Sequence, residues 1–428
     1  MENTKKARQM LEAAHTSEFA KILLRNFDIP VQEYMSNLLG YAPLNPLENE
    51  FKVSFECELG RIGIPDNDKK EIIDFLEKNR TLQTIGHTTL SNGPGFLGAN
   101  WLASLGSASG DFCIAATWSG LPFNNECRPD SLNFGGTLEI DDFIISAYPN
   151  MKLLKRAERQ RKKFSSDRRI PIVPENMRRS IVYSSPISDF TNIFIKHFSS
   201  KISKYVSDNH ARDDFTAFAL TFSSSIESEI LDRRMVYVDI CSIVSKYLYL
   251  VFENEDHPIT QFCFRESHLE ALTSSEAGKM PLFSGTDERS SAFTQFYYRD
   301  FSITNGTQRI QWDLATIRSR LKDQKLCPGL FLTYLVVCFI NGFQCLGGYN
   351  QVEYLKSFKV FISTIELFSQ YSPDRAPTSS LTVGRILDEH GVGVYPLDIV
   401  FGKKVIFEPQ VSFGEFSTPT VIRNTWSR

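Results

Sequence analysis

The 428-residue sequence lacks the short motifs that identify several large classes of enzyme and metalloprotein. Its eight cysteines show no CxxC or other zinc-like spacing, and the HExxH motif and the Walker A loop are missing. No Ser-His-Asp arrangement occurs either. The sequence therefore supports neither a metal site nor a hydrolytic triad.

The sequence also has little net charge, with a formal charge of -3 and a pI of about 6.2. A nucleic-acid partner would need a local basic patch. One segment, 151–169, carries nine Lys or Arg residues against two acids. It is either a solvated surface segment or a site for phosphate or carboxylate groups. Because aromatic residues are not interleaved with these cations, we do not expect nucleic acid as a partner.

Long hydrophobic runs are scarce. The longest candidate, 327–349, is interrupted by Asn341, Gln344 and the Gly347-Gly348 pair. We therefore predict a buried core helix there rather than a membrane span. The N-terminal segment is charged throughout and does not resemble a signal peptide. Most cysteines lie in apolar runs, which is typical of buried free thiols in a reducing compartment. These features predict a cytoplasmic protein with no membrane partner.

What the sequence does contain is the composition of a globular protein, with 42% apolar and 23% charged residues. From Leu82 a short strand, a polar loop, a helix through Leu105 and the buried run "FCIAATWSG" follow one another. This succession has the size of one βαβ unit, which implies a right-handed crossover and a parallel sheet. The pattern predicts an α/β fold.

The patterns divide the chain into five parts. We expect a helical N-terminal region (1–80), a first part of the core (81–187), a helical insertion (188–260), a second part of the core (261–385) and a strand-like C-terminal tail (386–428). Within the second part of the core, Asn305-Gly306 stands between two alternating runs, which predicts a β-hairpin.

The loop "TIGHTTLSNGPGFLGANWLASL", 84–105, is the first candidate site. A helix start presents unpaired N–H groups and a partial positive charge, so it binds phosphate or carboxylate groups readily. An ordinary strand-to-helix turn is the alternative. If the loop binds a ligand, the expected contacts come from Thr88, Thr89, Asn92 and Gly93.

His87 directly follows the first strand, and functional groups of open sheets lie at the carboxyl ends of strands. It is a candidate general acid or base, with a structural histidine as the alternative. After the second strand, "TWSGLPFNNECRPD" offers the amides of Asn124 and Asn125 and the guanidinium of Arg128 to a substrate. A polar turn with an asparagine helix cap accounts for that segment equally well.

The turn "GGYNQVEYLKSF", 347–358, again places glycines before a helix start. Gly347 and Gly348 permit the close approach of a ligand, and Asn350 and Gln351 lie in the first helical turn. Asn350 can instead cap the helix. The turn is therefore a second candidate site for an anionic group.

Five segments, in the same order along the chain, resemble the bacillithiol-biosynthesis cysteine-adding enzymes, a family of proposed cysteine ligases. The opening loop resembles the family's strand, "GQQ…TGP" and helix, and "TWSGLPFNNE" stands where the family has an acidic and histidine-bearing loop. The Asn-Gly hairpin with "IRSRLKDQKLCPGLFLTYL", the "GGYNQVEYLKSFKVFISTIEL" helix and the strand "APTSSLTVG" resemble later segments. The resemblance covers roughly 82–384.

The resemblance implies a Rossmann-like core with inserted helical subdomains and a cleft lined by the matching loops. It places Gly86 and residues 87–89 at the "GQQ" turn and Gly93 at the "GP" that opens the helix. It also places Gly347, Gly348, Gln351 and Tyr354 at the second glycine turn. Within the matching segments the sequence departs from the family at three places: His87-Thr88 replaces the paired glutamines, Gln351 replaces a glutamate, and "GLPFNNE" lacks the acid-and-histidine cluster.

The resemblance implies a ligase-like enzyme that condenses an amino acid, or another amine or carboxylate, with a small polar metabolite. Because of the departures, we expect a role in specialised metabolism, such as natural-product biosynthesis, rather than in bacillithiol synthesis. ATP is the candidate cofactor, and the sequence leaves open whether the protein forms a homodimer. The alternative is a non-catalytic metabolite-binding sensor or scaffold that retains the fold.

Overall fold

The computed structural model describes residues 2–39, 45–89, 92–106, 111–119, 131–135, 168–171, 199–202, 205, 215–288 and 293–425. The strands in these ranges are β1 (Thr81–Gln83), β2 (Phe112–Thr117), β3 (Ser131–Phe134), β4 (Arg168–Pro171), β5 (Arg234–Asp239), β6 (Phe283–Thr286), β7 (Phe293–Arg299), β8 (Ser302–Thr304), β9 (Arg309–Gln311), β10 (Leu326–Pro328) and β11 (Gln344–Leu346).

The α-helices before β6 are α1 (Glu2–Ala13), α2 (Glu18–Arg25), α3 (Val31–Leu38), α4 (Asn49–Arg61), α5 (Asp66–Asn79), α6 (Pro94–Leu105), α7 (Ser199–Ile202), α8 (Phe215–Leu231), α9 (Ile240–Val251), α10 (Pro258–Phe264) and α11 (Glu266–Thr273). Those after it are α12 (Leu314–Lys322), α13 (Leu330–Tyr334), α14 (Tyr349–Ile362), α15 (Pro396–Val400) and α16 (Phe413–Thr425). Three short 3₁₀-helices and one π-helical segment complete the described elements; they are Ala277–Lys279, Glu366–Tyr371, Pro373–Arg375 and the π-helical Leu335–Ile340.

Four strands form a parallel sheet in the order β11-β1-β2-β5, and helices flank it. The strand-helix-strand unit β1-α6-β2 has the predicted order, and every residue of β2 is buried, as a strand covered on both faces requires. The predicted α/β class with a parallel sheet is therefore confirmed. Helices α6 and α8 contact the sheet and each other, while α4 and α9 pack against each other, α4 also against β5 and α9 also against β2.

A second sheet is antiparallel, with the order β10-β6-β7-β8-β9, and forms a half-barrel. Its β8-β9 hairpin turns at the predicted Asn305-Gly306 pair. Gly306 has a φ of +92°, a backbone conformation that favours glycine, and this explains why the turn has this sequence.

The structure differs from the expected helical insertion at 188–260. Residues Arg234–Asp239 of that range form β5, which pairs with β2 along all six residues. A strand that is buried on both faces shows no polar-apolar alternation, so its apolar run cannot be distinguished from part of a buried helix by pattern alone.

The prediction of a strand-like tail at 386–428 is also wrong for the described part of that range, which contains α15 and α16. Phe413, Phe416 and Val421 of α16 are buried at helical spacing. The Phe416 ring contacts the Trp101 ring of α6, with 5.0 Å between centroids. Packing against the core therefore favours a helix despite Pro419 within it.

The apolar segment 327–349 is buried in the core, as predicted, but it is not one continuous helix. It contains α13, the π-helical turn Leu335–Ile340 and β11. None of the helices in the described residues has the length and apolar character needed to span a membrane.

Candidate functional site

The parallel sheet opens between β1 and β11, because the chain leaves these two strands in opposite directions. The last link between them is the Thr84 N–H, which donates to the Leu346 carbonyl at 2.8 Å. Beyond this hydrogen bond, His87 pairs with Trp118, which follows β2. Gly347 instead pairs with Leu381, which belongs to neither β1 nor β2. The divergence leaves a cleft at the carboxyl edge of the sheet.

The cleft lies where the order of the sheet reverses. From β1 the chain proceeds to β2 and then to β5 on one side, and it reaches β11 on the other side only later. The adjacent carboxyl ends of β1 and β11 are therefore a topological switch point, which is where open α/β sheets bind their ligands.

A bulge after β1 places His87 on the wall of this cleft. Gln83 pairs with Ala115, and His87 pairs with Trp118, so β1 uses one residue more than β2 between these two points. An extra residue of this kind redirects the side chains that follow it.

The cleft has a volume of about 430 Å³, within the usual range for small-molecule sites. Its walls come from the loops after β1, β2 and β11, from the starts of α6, α13 and α14, from a segment near 384 and from α16. The lining residues are Thr84, Ile85, His87, Gly95, Phe96, Trp118, Leu330, Gly348, Tyr349, Asn350, Gln351, Tyr354, Val383, Gly384, Arg385, Thr420 and Arg423.

Two larger cavities lie away from this edge. One of about 680 Å³ is a groove between α4 and α5 with mixed lysines and acids, and one of about 510 Å³ lies beside Trp312. Neither lies at the carboxyl ends of the parallel strands: the first is lined by residues of α4 and α5 alone, and at the second the start of α12 is capped by the Asp313 side chain. Volume alone therefore does not decide which cavity is the site.

Two long helices begin at the cleft, in addition to the five-residue helix α13. The N-caps of α6 and α14 are Gly93 and Gly348, and no described side chain caps either helix. The first-turn residues Gly95, Phe96, Tyr349 and Asn350 line the cleft. Uncapped first turns present N–H groups and partial positive charge, so this arrangement favours an anionic group between them.

His87 is half-buried, and its ring lies nearly parallel to that of Phe96, with 6.4 Å between centroids and 17° between planes. Removal from water disfavours the charged imidazolium and lowers the pKa of His87 to about 4. At neutral pH the imidazole is therefore uncharged, and it can both donate and accept a hydrogen bond.

Gln351 supports the cleft from within the protein. Its Oε1 accepts from Tyr334 OH at 2.9 Å and lies 3.1 Å from Thr84 Oγ1, while its Nε2 donates to the Cys345 carbonyl at 3.1 Å. A Cβ on Gly347 would lie 2.0 Å from the Gln351 side chain. The glycine therefore makes room for this side chain, whose polar atoms are already bonded.

Asn92 was predicted to contact the substrate, but the structure places its side chain in a buried polar cluster instead. Asn92 Nδ2 donates to Glu227 Oε1 at 2.8 Å, and Asn100 Nδ2 donates to Glu227 Oε2 at the same distance. Both amides also contact Tyr237 OH. Burial raises the pKa of Glu227, which these hydrogen bonds oppose. The cluster fixes the loop before α6 to α8.

Other predicted contacts also lie behind the cleft wall. Thr88 Oγ1 lies 2.8 Å from Thr117 Oγ1, and the Thr89 carbonyl accepts from Ser223 Oγ at 2.8 Å. Gly86 is buried, Gly93 is the N-cap of α6 and Gly347 lies beneath Gln351. Of the predicted residues, those that line the cleft are His87, Gly348, Asn350, Gln351 and Tyr354.

Asn124, Asn125 and Arg128 lie outside the described residues, as does most of the basic segment 151–169. The prediction did not include Arg385 and Arg423, which line the cleft. Each of these arginines also interacts elsewhere in the protein. No signal near them marked a site, because their segments were expected to be a strand and a strand-like tail.

A second buried polar cluster follows β2 and β5, and no local sequence pattern indicated it. Ser119 Oγ donates to Asp239 Oδ2 at 2.6 Å, and the Asp239 N–H donates to Glu58 Oε1 at 2.9 Å. Arg61 binds both oxygens of Glu58, each at 2.8 Å. Burial, together with the Glu58 carboxylate, raises the pKa of Asp239 to about 7.

Comparison with known proteins gives no match, whether with family models, curated proteins or solved structures. The resemblance to the cysteine-adding ligases therefore rests on the five sequence segments alone.

Proposed function

We propose that this protein is a ligase-like enzyme with a Rossmann-like core that binds a carboxylate-bearing small molecule in the cleft between β1 and β11. The observation that carries the proposal is the convergence of two uncapped helix starts on one cleft at the switch point of the sheet. The carboxylate lies between the first turns of α6 and α14, with Arg385 and Arg423 at the rim.

In the proposed reaction the carboxylate carbon is joined to the nitrogen of an amine substrate. The new C–N bond replaces a C–O bond, so one carboxylate oxygen must leave. A nucleoside triphosphate such as ATP is the proposed co-substrate, and the departing oxygen remains on the phosphate that it releases.

His87 is the proposed acid-base group. Its imidazole is neutral in the empty cleft, because burial lowers its pKa to about 4. A bound carboxylate nearby favours the imidazolium and raises this pKa, which brings His87 closer to the range useful for proton transfer from the amine.

The second candidate is a non-catalytic sensor that binds the same anion. The low pKa of His87 favours it, because an imidazole with this pKa is a weak base until a ligand is bound. Turnover separates the two candidates. A cytoplasmic location is part of the proposal for both, supported by six buried thiols among the seven free cysteines in the described residues.

The test is a thermal-shift screen of the wild type, His87→Ala and Arg423→Gln against ATP, ADP, free amino acids, carboxylic acids and sugar amines. Ligand at about 100 times its Kd stabilises the folded state by about 2.7 kcal/mol. His390→Ala and Arg299→Gln are matched controls, because both residues are exposed and outside the cleft.

A shift with an anionic ligand that both cleft variants weaken and both controls preserve supports the site. Release of phosphate, ADP or AMP when the bound acid is mixed with amines then supports the ligase, whereas binding without turnover supports the sensor. A shift that both cleft variants leave unchanged would contradict the proposed site.

A further inference from the structure

The charged side chains of the described residues that line the cleft have the same sign. Arg385 and Arg423 are its charged residues, and none of the described lining residues is Asp or Glu. The first turns of α6 and α14 add partial positive charge. An ammonium group would therefore enter a positive cleft with no described carboxylate to pair with, whereas a carboxylate would be stabilised.

Two large aromatic side chains in the walls of the cleft present apolar surfaces, because their polar atoms are bonded within the protein. Trp118 Nε1 donates to the Thr84 carbonyl at 3.1 Å, and Tyr354 OH donates to Tyr334 OH at 3.3 Å. The rings of Trp118 and Tyr354 are therefore available for apolar contacts with a ligand, as are Ile85 and Phe96. Apolar walls with a few polar groups are typical of small-molecule sites.

One polar group of the wall has no partner. Thr420 lines the cleft, and its Oγ1 is buried without a hydrogen-bond partner among the described residues. A buried hydroxyl of this kind costs free energy unless a ligand or water bonds to it. As a donor, it suits a carboxylate oxygen at one end of the cleft.

We propose that the acid bound in this cleft is a carboxylic acid with an apolar body of about the size of a phenyl ring, and that free amino acids and amines are excluded from this position. This inference rests on the proposed function and makes it more specific. The apolar body contacts Phe96 and Trp118, and the carboxylate lies at the helix starts near Thr420. The amine substrate then approaches from the open side of the cleft.

The test uses three ligands with the same phenyl body. Isothermal titration at pH 7.5 compares 3-phenylpropionate, which carries only a carboxylate, with phenylalanine, which adds an ammonium group, and with phenethylamine, which carries only the ammonium group. We expect the acid to bind at least 10-fold more tightly than phenylalanine, and phenethylamine to show no binding.

Two variants locate the acid. Phe96→Ala removes apolar wall, and Thr420→Val replaces the unpartnered hydroxyl with a methyl group of similar size. Each should weaken 3-phenylpropionate binding by at least 3-fold. Thr273→Val, on the exposed end of α11, is the matched control and should leave the affinity unchanged. Circular dichroism of each variant establishes that it is folded.

The outcomes separate this inference from the proposed function. If phenylalanine binds as tightly as the acid and Arg423→Gln weakens it, the cleft binds anions but the inferred ligand class is wrong. If only nucleotides or small polar acids bind in the cleft, the ligand class is again wrong. If no anion binds there at all, the proposed function itself fails.

Discussion

The Thr84 hydroxyl oxygen lies 3.1 Å from Gln351 Oε1, directly beneath the cleft. Thr84 follows β1 and Gln351 belongs to the first turn of α14, so this contact joins the two sides of the sheet where they begin to diverge. Trp118 Nε1 donates to the carbonyl of the same threonine. The floor of the cleft is therefore fixed by hydrogen bonds before any ligand binds, which lowers the cost of ordering the site.

The first prediction concerns Gly347, which makes room for Gln351. Gly347→Ala would place a Cβ 2.0 Å from the Gln351 side chain, and this side chain could move only by losing its buried hydrogen bonds. We expect the free energy of unfolding in urea to fall by about 1–3 kcal/mol. Gly60→Ala is the control, because its Cβ would have 3.4 Å to the nearest atom. Equal stability of the two variants would contradict the packing described here.

The second prediction concerns His87 and pH. Its pKa is about 4 in the folded protein, below the value near 6.5 expected in the unfolded chain. The folded protein therefore binds fewer protons between these values. The stability that His87 contributes is fully present above about pH 6.5 and is lost as the pH falls toward 4. Linkage gives a loss of about 2 kcal/mol between pH 7 and pH 5.

His87→Gln should remove that part of the pH dependence, measured as the free energy of unfolding in urea at pH 7 and pH 5. His390→Gln should keep it, because the His390 side chain is 78% exposed. If the wild type and His87→Gln lose equal stability over this range, His87 is not desolvated in the folded state.

The third prediction concerns Asp239, whose contribution to stability depends on pH in the opposite direction. Burial and Glu58 raise the pKa of Asp239 to about 7, above the unfolded value near 3.8. The contribution of Asp239 to stability is therefore fully present below about pH 3.8 and is lost as the pH rises through 7. Asp239→Asn should lose less stability than the wild type between pH 5 and pH 8. Asp28→Asn, at an exposed carboxylate, should follow the wild type; a parallel curve for Asp239→Asn would refute the raised pKa.

The fourth prediction concerns Glu227, which accepts hydrogen bonds from Asn92 and Asn100. In Glu227→Gln one acceptor oxygen becomes an NH₂ group, so one buried amide loses its partner at a cost of about 1–3 kcal/mol. The loop before α6 should also loosen, with weaker ligand binding in the cleft. Glu229→Gln, exposed on the same helix, is the control. If the calorimetric melting curves of Glu227→Gln and Glu229→Gln coincide, the hydrogen bonds of the cluster do not stabilise the fold.

Local sequence patterns predicted the parts of the fold that depend on neighbouring residues. The β1-α6-β2 unit was predicted because a glycine-proline helix start stands between two apolar runs, and the β8-β9 hairpin because Asn305-Gly306 suits its turn. The strand β5 was missed, since a fully buried strand lacks a distinctive period. The helix α16 was missed because its packing against α1, α2 and α3 and the contact of Phe416 with Trp101, rather than its local sequence, favour that conformation.

As with the fold, only part of the candidate site could be predicted from the sequence. His87 and Gln351 were singled out because each follows a strand and a glycine, and the structure brings both to one cleft. The role of Asn92 in a buried cluster depends on Glu227, which is distant in the sequence, so no local pattern could reveal it. The positions of Arg423 and Asp239 likewise depend on tertiary packing.

The binding of a carboxylic acid in the cleft between β1 and β11 can be observed directly in a crystal of the protein soaked with 4-bromobenzoate, with the bromine located by its anomalous scattering. We expect one strong peak in the cleft beside Phe96 and Trp118, with the carboxylate at the first turns of α6 and α14. A peak in the groove between α4 and α5, or no peak in the cleft at millimolar ligand, would contradict it.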